Sequence, residues 1–208
     1  PDLEVDRELV ALRHPTEYPM NEGRIASTAG LDCSYDEYDQ HMIEEQAEHS
    51  TALHARMNGR GRYLTGPLAR YALNADRLPG WLLDAARAAG FAPPIRNPFR
   101  SLGVRLVEVT YAIDEALRLL RGYAPPPAPA VEVIPRAGTG AWATEAPRGL
   151  LWHRYHTDDR GLVTSARIVP PTSQNQASIE ADLHDLVVKL IARPDLSDDE
   201  LRHRTVEF

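Results

Sequence analysis

A single cysteine, Cys33, stands in the 208 residues of the chain. One thiol excludes an intrachain disulfide framework and any metal centre built from several cysteines of this chain. It fits a reducing, cytoplasmic setting. Basic charge is also scarce. Lys and Arg number 23 against 30 Asp and Glu, a formal net charge of -7, so no cationic face for nucleic acid is implied. No stretch approaches the roughly 18 to 20 apolar residues of a membrane span. No charged start runs into the apolar core of a secretory signal. A starting methionine is missing too: the chain opens on Pro1 and is expected to be a piece of a longer polypeptide. What is present is ordinary for a globular protein, with 43% hydrophobic and 25% charged residues, enough for one core or two small ones.

Periodicity organises the chain. Gly23 to Ser27 alternates like a short strand, and Gly30-Leu31-Asp32 reads as a turn. Tyr35 to Met57 is predicted helical from Tyr38, Ile43, Ala47, Leu53 and Met57, stopped by Asn58-Gly59-Arg60-Gly61. A second helix runs from Gly66-Pro67 to about Asn74, with proline tolerated in its first turn. A third runs from Pro79-Gly80-Trp81 to near Gly90. Pro93, Pro94 and Pro98 make the next connection extended. Ser101 to Arg121 is the longest amphipathic stretch, with Leu102, Leu106, Val109, Ile113, Leu117 and Leu120 on one face and Glu108 mostly off it.

Prolines at 125, 126, 127 and 129 then impose a stiff connector. Beyond it, Val131 to Ile134 reads as a strand. Leu150 to Thr157 and Leu162 to Val169 read as two strands around the turn Asp158-Asp159-Arg160-Gly161. Gln176 to Ala192 returns to helix, and Ser197 with Glu200 forms a capping box for a last one. The expected fold class is α+β: a helix-rich first half, then a small antiparallel hairpin or sheet with further helices. The expected segments are 1–122, helical; 123–130, a proline-rich connector; and 131–208, mixed.

Glu44, Glu45, His49 and His54 crowd the first of these helices. A carboxylate-bridged metal site wants Glu-x-x-His on each of two helices, and no His-Glu-x-x-His is present. The cluster therefore reads as a solvated or salt-bridged helix face. Nothing local activates Cys33, which reads as a buried residue. Pro147-Arg148-Gly149 differs in kind. Proline fixes the backbone before the arginine, and glycine after it permits a close backbone approach. The guanidinium is a permanent charge with rigid donors. Alone it reads as a structural ion pair. A second polar-tipped loop, Pro170-Pro171-Thr172-Ser173, closes the other end of the same strand-turn-strand and offers a hydroxyl and backbone donors to the same point.

The segment Glu145 to Tyr155, opening on Glu145-Ala146-Pro147-Arg148-Gly149, resembles the Glu-(Ala/Ser)-Pro-Arg-Gly motif of nickel-iron hydrogenase large subunits. Ile168 to Asp182 resembles the Pro-Pro-Thr-x-Gln-Asn-Gln stretch of their cytoplasmic, NAD(P)-linked branch. Glu44-Glu45 through His49-Ser50, Ala52-Leu53-His54 and Tyr63-Leu64-Thr65-Gly66-Pro67-Leu68-Ala69-Arg70 are similar to the same branch, so the resemblance covers most of residues 18–208 in order. It implies that Arg148 with Pro147 forms a canopy over a Ni-Fe(CN)2CO centre, the guanidinium lying near the open coordination position and acting as base or electrostatic partner in splitting dihydrogen. It implies that the hydroxyl of Thr172 or Ser173, behind Pro171, hydrogen-bonds a cyanide on iron. The implied partners are diaphorase subunits carrying flavin and NAD(P), reached through an iron-sulfur small subunit.

The family's two Cys-x-x-Cys pairs are missing. One is expected before Pro1 and the other after Leu201 to Phe208, so the resemblance implies that this chain alone binds no nickel, and Cys33 matches none of those cysteines. A non-catalytic relative, the quinone-side core subunit of respiratory complex I, also does without these cysteines; Gln174-Asn175-Gln176 favours the hydrogenase reading. A third reading is a helical interaction module without chemistry, which an Arg148 exposed and remote from Thr172 would favour.

Overall fold

A computed structural model of the chain describes residues 3–193 and 195–206. Among these residues, three small antiparallel sheets and six α-helices make an α+β fold. The first sheet orders β1 (Val10–Arg13), β2 (Arg24–Ser27) and β3 (Asp32–Cys33). A one-turn α1 (Tyr38–His41) leads into a hairpin of β4 (Met42–Gln46) and β5 (Leu53–Met57). Then come α2 (Pro67–Asn74), α3 (Gly80–Ala88) and α4 (Ser101–Arg121). The third sheet orders β6 (Gly138–Ala146), β7 (Gly149–Thr157) and β8 (Val163–Val169), and α5 (Pro171–Ile191) and α6 (Asp198–Val206) follow it.

Residues 35–57 are thus not one helix but a short turn of helix and a hairpin. Leu53, Ala55 and Met57 also obey a period of two, and pairing Met42 with Met57 puts both methionines in the core. The glycines after Met57 close a turn on a strand, with Gly61 and Met57 exchanging backbone hydrogen bonds of 3.0 and 2.7 Å. Val131 to Ile134, expected as a strand, is irregular and exposed. The strand forms instead at β6, which pairs along its whole length with β7 from Gly138–Thr157 to Ala146–Gly149. Small residues hide its alternation, yet Ala143 is fully buried. Helix α5 starts at Pro171 rather than Gln176. Proline there is at the first helical position, where an N–H has no intrahelical partner anyway. Thr172 and Ser173 therefore sit in the first turn of a helix and not in a loop.

The main core draws on both sides of the connector at 123–130, combining Val10, Leu12, Ile25, Tyr38, Met42, Met57 and Tyr63 with Leu150, Trp152 and Val169. Trp152 is its centre. Its ring stacks on Tyr38 at 4.5 Å and its indole N–H donates to the Tyr35 carbonyl at 2.8 Å. Arg154 and Arg167 cap the ring, held over it by Asp39, with Glu44 also pairing Arg167. A second core joins α2, α3 and α4 through Leu68, Tyr71, Leu82, Val104, Val107 and Tyr111. It uses the face of α4 opposite to the expected one. Leu102, Leu106, Val109, Ile113, Leu117 and Leu120 are exposed, Leu102 and Leu120 at 71%. No helix among the described residues is long and apolar enough to cross a membrane.

Trp152→Ala is expected to cost about 3–5 kcal/mol, as for a fully buried large aromatic, whereas Leu106→Ala on the exposed stripe stays within about 0.5 kcal/mol. Urea unfolding monitored by circular dichroism measures both.

Candidate functional site

Three sequence segments interlock: 63–70, 145–150 and 170–176. Pro147 and Arg148 are the two-residue turn between β6 and β7, since Ala146 pairs with Gly149. Gly149 (φ +138°) and Gly66 (φ +114°) let this turn lie against the start of α2. A Cβ on Gly66 would come within 2.8 Å of the Arg148 carbonyl oxygen. One on Gly149 would enter the Thr65 side chain and approach the Gly66 nitrogen to 2.9 Å. Two glycines thus keep their own side chains out of the contact and leave room there for that of Thr65.

Helix α5 supplies the ties. The Asn175 amide donates to the Arg148 carbonyl at 3.2 Å, and its oxygen accepts from the Thr65 backbone N–H at 2.8 Å and hydroxyl at 3.2 Å. The Gln174 amide donates to the carbonyls of Leu150 at 2.6 Å and Val169 at 3.2 Å, while its oxygen accepts from the Tyr63 hydroxyl at 3.1 Å. Among the described residues, no buried side-chain polar atom of these three segments lacks a hydrogen-bond partner.

Beneath the turn lies Arg70, only 3% exposed. It donates to both carboxylate oxygens of Glu108 at 2.7 Å, to Glu145 at 3.0 Å, and to the carbonyls of Ala146 at 2.8 Å and Pro147 at 3.3 Å. This uses the planar fork that lysine lacks. Burial works against the Arg70 charge, but Glu108 and Glu145 together hold its pKa above the usual arginine value. Burial pushes Glu145 up to about 7, partly countered by Arg70 and by the Leu12 N–H that donates to it at 2.8 Å. The Tyr18 hydroxyl donates to Glu108 at 2.7 Å.

Above the turn is an open recess of about 460 Å³, lined among others by Arg148, Thr172, Arg105, Arg7, Thr65 and Asn175. Arg7 is neutralised by Asp182 at 2.5 Å. Arg105 and Arg148 have no carboxylate partner among the described residues, so the recess carries net positive charge beside a hydroxyl and an amide. That set suits a small anionic or strongly polar ligand.

Of the expected site residues, Arg148 and Thr172 share this recess. Pro147 lines a neighbouring one of about 240 Å³ with Arg70, Arg105 and Glu108. The Ser173 hydroxyl is turned away, donating to the Pro170 carbonyl at 3.0 Å, and Pro171 is buried at the helix start. Cys33 is buried in β3, and burial pushes its thiol up to about 11, far from a reactive thiolate. Arg70, Glu108, Glu145, Gln174 and Asn175 were not expected as site residues. Gln174-Asn175 and the arginine ending Gly66 to Arg70 were visible within their segments. Glu108 gave no signal, as one carboxylate between Val107 and Val109.

No family model matches the chain. The alpha subunit of sulfhydrogenase 1 from Pyrococcus furiosus is 31% identical over 180 residues, 86% of this chain and 40% of that protein. The vhu F420-non-reducing hydrogenase subunit of Methanococcus voltae is 34% identical over 130 residues, 58% of this chain and 29% of that one. Among solved structures, an NAD+-reducing [NiFe]-hydrogenase in the H2-reduced state superposes with a TM-score of 0.74 at 20% identity, covering 98% of this chain and 48% of that chain. Fold and sequence together define the class: the chain belongs to the large-subunit family of nickel-iron hydrogenases. Within it, the chain spans about 40% of the length of the Pyrococcus protein and 29% of the Methanococcus one.

Gly149→Ala is expected to destabilise the chain by about 2–3 kcal/mol through backbone strain and overpacking against Thr65, read as a lowered urea midpoint. Glu145 generates a pH dependence. The folded chain holds its proton up to about 7 while a free carboxyl releases it near 4.5. The folded state therefore binds more protons in that window, and stability falls as pH rises through it, by at most about 1.4 kcal/mol per unit, then levels off. Glu145→Gln removes that slope when melting is compared across pH.

Proposed function

We propose that this chain contributes the outer canopy of the dihydrogen-activating site of a nickel-iron hydrogenase, catalysing reversible H2 oxidation coupled to NAD(P) through partner subunits. The observation that carries the reading is the recess shared by Arg148 and Thr172. Its donor set fits the surroundings of a Ni-Fe(CN)2CO centre and does not fit its ligands. It offers guanidinium, hydroxyl and amide groups and no thiolate. Metal ligands then belong to other parts of the complete protein, and Cys33 is not one of them.

When bound, the centre supplies the position at which dihydrogen is taken up and split. The residues of this chain do the rest. Thr172 would offer its hydroxyl to a cyanide of that centre and so tune the iron without being a ligand to it. Arg148, carried on a turn locked by Gly66, Asn175 and Arg70, presents a fixed positive charge where negative charge develops. Pro67 and Leu68 give the recess part of its apolar wall. The partners of this reading would be an iron-sulfur small subunit and a diaphorase carrying flavin and NAD(P), in the cytoplasm, to which electrons would pass. The NAD+-reducing neighbour in fold supports that coupling.

In the complete, partner-bound enzyme, Arg148→Lys is expected to lower H2-dependent NAD(P) reduction by about 100-fold or more, the size seen on removing a preorganised donor, with nickel and iron content unchanged. Thr172→Val is expected to move the cyanide infrared bands while Ser173→Ala leaves them in place. Full activity in Arg148→Lys, or bands that respond to Ser173 and not Thr172, would overturn this assignment.

A further inference from the structure

We propose that His49, His54 and Glu180 form a binding site for a divalent transition-metal ion, zinc by its chemistry, that clips the β4–β5 hairpin to α5. The three residues come from three different parts of the chain. His49 belongs to the connection 47–52, His54 to β5 and Glu180 to the middle of α5. One donor atom from each falls within 4.8 Å of the other two. His49 Nε2 is 3.1 Å from both oxygens of Glu180, and His54 Nε2 is 3.4 Å from Oε1. Ligands at about 2.0–2.2 Å around one zinc ion are separated by a little over 3 Å, which both histidine–carboxylate spacings match; the two histidine nitrogens, within 4.8 Å of each other, would draw together on binding.

The His54 ring is the second, independent observation. Its side chain is 3% exposed and its Nε2 is buried with no hydrogen-bond partner. Glu180 pairs with His49 and faces the His54 nitrogen at 3.4 Å, but this second contact lacks hydrogen-bond geometry, so the buried nitrogen lies beside a carboxylate without being bonded to it. Buried polar atoms without partners are rare and call for an unseen ion or water. A metal answers it directly. The two rings stand nearly perpendicular, 82° apart with centroids 5.8 Å apart, so both Nε2 atoms can point at one centre without stacking.

The surroundings are those of a ligand set. The Gln176 amide donates to Glu180 Oε1 at 3.2 Å, orienting the carboxylate as outer-shell groups do. The connection bearing His49 is pinned by Gln46 to the Ser50 carbonyl at 2.5 Å and by Ser50 to the Ala52 carbonyl at 2.9 Å. Two imidazoles and one carboxylate, with a fourth position open to water, match zinc sites of the three-ligand kind. The site is distinct from the recess of Arg148, whose α5 lining is Thr172, Asn175, Ile179 and Asp182. It does not depend on the hydrogenase reading.

The test titrates the full 208-residue chain, stripped with chelator, with Zn2+ against a chromophoric competitor, and with Co2+ followed by its visible absorption. About one ion per chain is expected, with the intense bands of low-coordinate cobalt. Glu180→Gln, on the surface of α5, and His54→Gln are each expected to weaken binding by about 100-fold, at or beyond the loss on removing an outer-shell partner. His184→Ala is expected to change nothing. Zinc is expected to raise the melting temperature of the parent chain and not of Glu180→Gln. Equal affinity in the parent chain and Glu180→Gln, or octahedral cobalt spectra insensitive to both substitutions, would overturn the site.

Discussion

The carbonyl oxygen of Arg148 receives the Asn175 amide while lying against the α-carbon of Gly66. Through this one atom the β6–β7 turn, the start of α2 and the first turns of α5 are held in a fixed relation. Gln174 repeats the tie one strand residue deeper, at Leu150 and Val169. The sheet and the helix that follows it therefore cannot separate without exposing several buried amide groups at once. Arg148 and Thr172 meet over a common recess because their backbones are fastened here.

Arg70 holds the turn from below by a different means. A guanidinium shared between Glu108 of α4 and Glu145 of β6, and hydrogen-bonded to two turn carbonyls, joins elements from both halves of the chain. Buried ion pairs contribute little net stability against an apolar replacement, yet losing one partner is costly because a charge is left stranded. Such a network is better understood as specifying one arrangement of the turn than as strengthening the fold. Its position directly beneath Pro147 and Arg148 is where that specificity serves the proposed chemistry.

Much of this was legible in the residues. The hairpin Asp158 to Gly161, the bounds of α4 and the capping box at Ser197 followed from turn chemistry and period. The pair Arg148 and Thr172 followed from motif resemblance. What escaped did so for local reasons. Leu53, Ala55 and Met57 satisfy a strand while Tyr38 and Ile43 tempt one toward a helix, and only the pairing with Met42 decides. Helix α4 carries apolar residues on two faces, so its period was plain but the packed side was not; Val107 and Tyr111 won over Leu106 and Leu117. The helix misreading also hid Glu180 as a neighbour of His49 and His54, since a partner 131 residues from His49 leaves no trace in local spacing.

The contact between the Gly66 and Arg148 main chains bears on how steadily the guanidinium is presented. The side chains of Asn175 and Arg70 hold the carbonyls of the turn, and the missing Cβ of Gly66 leaves room for the Arg148 carbonyl. The backbone at the root of the arginine is thereby held by buried hydrogen bonds, and the freedom of the charge lies in the torsions of its own aliphatic stem.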